Sequence, residues 1–92
     1  MAGRIEVTKK DDKTFLVAVN ARTTTSHTVT LEPDYYTRLT GGKVTPEKLI
    51  EKSFEFLLER ESNTSILSNF DLPLINHYFP EYELSIGQRL LK

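Results

Sequence analysis

At Leu31 the hydrophobic period of this chain changes. In residues 4–9 and 26–31 apolar side chains recur at alternate positions, the spacing of strands half-buried in a sheet. Beyond Glu32 they recur at three and four, the spacing of helices. One such switch, with short polar turns on either side, points to an α+β architecture with strands first and helices after.

Within the strand-like part, RIEVTK (4–9) places Ile5 and Val7 on one face. Lys10-Asp11-Asp12-Lys13 is a polar turn, so 4–9 and the following run predict an N-terminal β-hairpin. TFLVAV (14–19) is apolar at both parities, as in a central strand covered on both faces or one buried in an interface. A polar connection, Asn20 to Thr25, leads to a third strand, SHTVTL (26–31). There Val29 and Leu31 point inward, and Ser26, Thr28 and Thr30 share the opposite face.

The helical part opens with EPDYYTRLTGG. Pro33 suits a first turn because its missing N–H is no loss, and Leu31 and Tyr36 bracket a weak cap at Glu32. Gly41-Gly42 permits the left-handed conformation that ends a helix. The next helix starts well: Thr45 is an N-cap, Pro46 takes the first helical position, and Glu47 faces the positive end of the dipole. Val44 and Leu49 form a hydrophobic staple around that start. Leu49, Ile50, Phe54, Leu57 and Leu58 make an apolar stripe, and Phe56 falls beside it, which marks a second contact surface. The helix is predicted to stop near Ser62-Asn63. Residues 64 to 79 supply Ile66, Leu67, Phe70, Leu72, Leu74, Ile75, Tyr78 and Phe79, with a short helix capped by Asp71 and ended by Pro80. This tail is too apolar for a linker. Residues past Leu84 are expected to be loose.

Ninety-two residues make one domain with a thin core, to which burial between two copies would be a natural supplement. Its parts are a hairpin extension (1–25), a strand–helix–helix unit (26–61), a packed tail (62–84) and a loose end (85–92). The absence of cysteine removes disulfides, thiolate metal sites and thiol catalysis, and fits a reducing cytoplasm. No apolar run has the length of a signal peptide or a membrane span.

Residues 1 to 48 carry eight Lys/Arg against six Asp/Glu, and residues 49 to 92 carry four against seven. A dedicated nucleic-acid binder is strongly basic, because phosphate neutralisation supplies most of its affinity. This chain has at best a basic face on a near-neutral body.

No catalytic residue emerges. His27 and His77 are the only histidines, fifty positions apart, and a metal site needs clustered ligands; a surface histidine and one at a helix edge is the better description. No serine lies in a nucleophile turn. Gly41-Gly42-Lys43 lacks the spacing of a phosphate loop, and Val44 stands where its hydroxyl would be. Glu51, Glu55 and Glu59 share a helix face with no ligand set beside them. Neither an enzyme nor a metal, cofactor or small-molecule substrate is expected.

The order of elements is more informative. Thr28-Val29-Thr30-Leu31, the Tyr36/Leu39 helix, and Gly42-Lys43-Val44-Thr45-Pro46-Glu47 running into LIEKSFEFLLERE resemble the ribbon-helix-helix family, including HicB-like antitoxins. The resemblance covers 36 of 92 residues. It implies that two chains pair their strands into a ribbon entering the major groove of duplex DNA. Ser26, Thr28 and Thr30 would then face bases, and Lys43 and the amides near Thr45 would meet phosphate. Val29, Leu31, Ile50, Phe54, Phe56 and Leu57 would form the homodimer interface.

Two departures stand out: none of the three strand positions is a strong base reader, and Glu47 puts a negative charge where phosphate would lie. The whole chain is also similar to a group of small bacterial proteins sharing LTGGK, SFEFLLERE and YFPEYE strings, a similarity that brings no activity with it. The expectation is a homodimeric regulator or antitoxin-type module whose partner is duplex DNA or a toxin-like protein. The alternative is a protein-interaction module without nucleic acid, in which the three strands form one intramolecular meander.

Overall fold

The computed structural model describes residues 4–90. Its first feature is the hairpin, built on Asp11. One carboxylate oxygen of Asp11 accepts the N–H groups of Lys13 (3.0 Å) and Thr14 (2.9 Å), which closes the Lys10–Lys13 turn. The turn joins β1 (Arg4–Lys9) to β2 (Thr14–Asn20), and β3 (Thr24–Thr30) continues the antiparallel meander. The third strand begins two residues before the sequence expectation, and Leu31 lies just beyond it. A three-residue strand, β4 (Asn69–Asp71), joins the other side of β3 in parallel, giving the order β1-β2-β3-β4. So short and polar a strand leaves no periodic trace in a sequence.

Parallel neighbours need a crossover, and the two long helical segments supply it. α1 (Pro33–Thr40) has Pro33 at its start and no side-chain cap from Glu32; it ends at Gly41, whose φ of 65° is the left-handed conformation. α2 (Pro46–Leu58) is capped by Thr45, whose hydroxyl accepts the Lys48 N–H at 3.1 Å. It ends a few residues before the expected Ser62-Asn63.

After a 3₁₀ turn at Asn63–Ser65 and β4 come α3 (Leu74–Tyr78) and α4 (Tyr82–Leu90). α3 is entered through Pro73; Asp71, the expected cap, belongs to β4. α4 corrects the expectation of a loose end after Leu84. Tyr82 and Ile86 are fully buried, and Leu90 follows at the same helical spacing. Residues 1–3 and 91–92, at the outer ends of the expected hairpin extension and loose terminus, lie outside the described residues.

The result is an α+β fold of two layers. Rows of facing residues, Ile5–Val19–Thr25, Val7–Val17–His27 and Lys9–Phe15–Val29–Phe70, form the inner sheet face. Against it lie Leu49, Ile50, Phe54, Phe56 and Leu57 of α2, with Leu72, Ile75, Tyr82 and Ile86 from the tail. Each large side chain so buried contributes about 1.5–3 kcal/mol relative to exposure. The outer sheet face carries Thr8, Thr14, Leu16, Ala18, Ser26, Thr28 and Thr30, and Leu16 there is 43% exposed. The apolar content of β2 at both parities is therefore used on one face only.

Over residues 28–30 β3 offers no free edge. There its even-numbered backbone groups meet β4, through Thr28 N–H to Ser68 C=O (2.7 Å) and Leu72 N–H to Thr30 C=O (2.9 Å), and its odd-numbered groups meet β2 along the whole strand. The strand–helix–helix order is present, but the helices return the chain to its own sheet.

Candidate functional site

The residues singled out from the sequence fall into separate places. Ser26, Thr28 and Thr30 do share one face, the outer one. Lys43 and Thr45 stand at the start of α2, in the layer on the other side of the sheet, so the fold does not bring the two groups together. The Thr45 hydroxyl is engaged in its cap, and Tyr36 hydrogen-bonds the Val44 carbonyl beside it. Val29, Leu31, Ile50, Phe54, Phe56 and Leu57 are all buried within the single chain. Phe56, the residue beside the stripe, packs edge-on against Phe79 (6.0 Å) and Tyr82 (5.3 Å), and the Arg60 guanidinium lies 3.7 Å over its ring. The second contact surface of α2 is thus its own tail. No second copy is needed to cover these side chains.

His27 is buried, contrary to the surface position expected for it. Its two ring nitrogens lie 2.7 Å from the Leu67 carbonyl and 2.9 Å from the Thr25 hydroxyl. The Asn63 amide donates to the Thr23 carbonyl (2.7 Å) and to the Thr25 hydroxyl (2.9 Å). This network binds segment 63–67 to β3 and leaves the polar atoms it uses paired. The sequence hides it because the partners lie about forty positions apart.

A second polar cluster joins α1 to α4. The Glu83 carboxylate accepts from Tyr35 Oη (3.0 Å) and Arg38 Nη2 (2.7 Å), and the Glu83 N–H donates to Asn76 Oδ1 (3.3 Å). Burial, and then the Glu83 carboxylate, push the Tyr35 hydroxyl well above its usual range. The groups satisfy one another and tie two helices together. Among the described residues, no cluster of three or more His, Asp or Glu side chains could hold a metal ion, and no helix is long and apolar enough to cross a membrane.

A more apolar feature is a cleft of about 400 Å³ at the C-terminal end of α2. Leu57 and Glu61 form one side, Ile66 and Leu67 the segment held by His27, Phe70 comes from β4, and Leu74, Ile75, Tyr78 and Phe79 close the far side. Leu67 is 50% exposed and Tyr78 63% exposed, although their neighbours Ile66 and Ile75 are buried. Glu61 is the only ionisable lining group besides Tyr78, and no Lys or Arg among the described residues makes a salt bridge with it. Clefts of this size with apolar walls and few polar groups are where proteins commonly take up ligands. The signal in the sequence was the surplus of apolar residues between 64 and 79.

No family model, curated protein or solved structure matches the chain.

Proposed function

We propose that the protein is a non-enzymatic protein-interaction module whose binding site is the cleft between α2, β4 and α3. The observation that carries this reading is the pair of exposed side chains, Leu67 and Tyr78, at the mouth of an apolar cleft that the described chain leaves uncovered. Aromatic and aliphatic groups in such a position act as anchors in protein interfaces. Glu61 on the wall, which makes no salt bridge among the described residues, favours a partner segment with bulky apolar residues followed by Lys or Arg. A reducing cytoplasm suits a chain without cysteine.

This reading keeps the protein partner of the antitoxin-type expectation and sets aside the DNA-reading ribbon. A ribbon would need β3 free to pair with a second chain, and near-neutral charge gives little purchase on phosphate. A random peptide library displayed on phage provides the test. Selected peptides should combine large apolar residues with Lys or Arg, and should bind Leu67→Asp at least about tenfold more weakly than the parent protein. Thr28→Asp, on the outer sheet face, should bind them unchanged. Peptides indifferent to Leu67→Asp would overturn the site. Tight, salt-sensitive binding of mixed-sequence duplex DNA in an anisotropy titration would return the ribbon reading to first place.

A further inference from the structure

The cleft is not the only place where the chain leaves bonding capacity unused. In an antiparallel ladder the residues that bond a given neighbour alternate. Lys10 N–H bonds Thr14 C=O at 2.8 Å, and the register sets Lys9 against Phe15, Thr8 against Leu16 and Glu6 against Ala18. Glu6 and Thr8 therefore direct their backbone groups to β2, and Ile5, Val7 and Lys9 turn theirs outward. No strand of the described chain lies on that side, because β1 ends the sheet. The edge contains no proline, and its pairing with β2 is continuous from Arg4 to Lys9 without a bulge. Proteins keep such edges solitary by breaking or shortening them or by placing charges on them, and β1 carries the charges Arg4, Glu6 and Lys9.

We propose that two copies of this chain join along β1 in antiparallel fashion, so that their four-stranded sheets become one. The occupant is argued from the charge pattern of the edge. A two-fold axis that keeps both inner faces on one side brings even positions against even and odd against odd, and so passes through one residue of β1. An axis at Val7 or at Thr8 sets no two charged residues of β1 against each other. An axis at Glu6 sets Glu6 on Glu6. An axis at Ile5 sets Arg4 against Glu6 twice and Ile5 against Ile5, with the outward N–H and C=O groups of Ile5 bonding each other across the axis. Opposite charges facing each other stabilise a strand pair, and like charges oppose it. Of these alignments only the Ile5 axis sets opposite charges of β1 against each other.

Arg4 and Glu6 already approach within one copy, 3.4 Å apart on the outer face, so the second copy would complete an alternating square of four charges. On the inner face Ile5 is half-buried beside the core, and its exposed side would be covered by Ile5 of the second copy. An isologous contact of this kind closes on itself and does not propagate into a fibre.

Sedimentation equilibrium of the full chain tests the proposal. The mass should rise toward twice 10.6 kDa within the micromolar range. Ile5→Pro removes an outward N–H and leaves the bonds to β2, so the variant should keep its circular dichroism and sediment as a monomer. Glu6→Arg should weaken association at least about tenfold at low salt, and the double variant Arg4→Glu/Glu6→Arg should restore it, because the axis sets each position against the other. The charge variants decide the matter should Ile5→Pro not fold. A monomer at every concentration would overturn the inference. So would a dimer indifferent to Glu6→Arg, which would place the contact elsewhere, on Leu16 or on the cleft.

Discussion

The two sides of α2 are finished differently. Toward α4 the apolar contact is closed and only a polar groove beside Lys48, Lys52 and Arg89 remains: Tyr82 and Ile86 are fully buried, Ser53 and Tyr82 share a hydrogen bond of 2.6 Å, and Arg89 meets Glu59 at the rim. Toward α3 the same helix ends at an open cleft flanked by exposed Leu67 and Tyr78. Composition does not explain the contrast, since both sides draw on aromatic and aliphatic residues of one tail. What differs is chain length. The five residues of α3 are too few to lay a continuous apolar stripe on α2, and the nine of α4 supply Tyr82, Ile86 and Leu90 at successive turns. A short helix held in place by its neighbours can leave a wall open without weakening the core.

Truncation on the two sides gives the sharpest test of that contrast. Phe54 is fully buried between His27 (5.4 Å) and Phe70 (6.0 Å), and Phe54→Ala should cost about 3–5 kcal/mol in chemical denaturation. Tyr78→Ala at the cleft mouth should stay within about 0.5 kcal/mol of the parent. A Tyr78→Ala cost approaching that of Phe54→Ala would make the cleft a part of the core, and the contrast would fail.

The wall itself should respond at an intermediate level. Asn63→Ala removes the donor to the buried-side Thr23 carbonyl and to Thr25, a loss of about 1–3 kcal/mol. Because Leu67 hangs on the same network through His27, amide hydrogen exchange should quicken across segment 63–70 and remain unchanged in α4. Uniform quickening would show that the wall and the α4 side open as one unit.

How much of this could be read in advance depends on the range of the interactions involved. The start of α2 was legible because its determinants are neighbours: Thr45, Pro46 and Glu47 act within one turn, and Gly41 ends α1 by its own φ. The hairpin followed from Asp11 for the same reason. The pairing of β3 with β4 was not legible, because three residues carry no period and their partner lies across the whole helical crossover. The burial of His27 depends on a carbonyl forty positions away. α4 is a different case, since Tyr82, Ile86 and Leu90 stand at successive i, i+4 positions, but Ser85, Gly87 and Gln88 between them obscure the stripe. For the candidate site, the apolar surplus of residues 64–79 was visible, and the cleft it surrounds was not, because a cavity is a property of several elements at once.

A smaller loss than that of Asn63→Ala is expected on the closed side. Tyr82→Phe removes one hydroxyl, and Ser53 keeps its bond to the Leu49 carbonyl at 2.8 Å, so the cost should be about 0.5–1.5 kcal/mol at neutral pH. Alkali should enlarge the distinction. Burial pushes the Tyr82 hydroxyl well above the ordinary value of 10.0, so the folded chain holds its proton where the unfolded chain releases it. Its contribution is therefore complete below the unfolded value and declines as pH climbs from there toward the folded one. Tyr35, raised in the same direction, adds to that decline. Denaturation midpoints followed from neutrality into the alkaline range, with tyrosinate absorbance as the second signal, should show a falling limb that Tyr82→Phe flattens. An alkaline limb unaltered by Tyr82→Phe would mean that the α4 side admits water as readily as the cleft does.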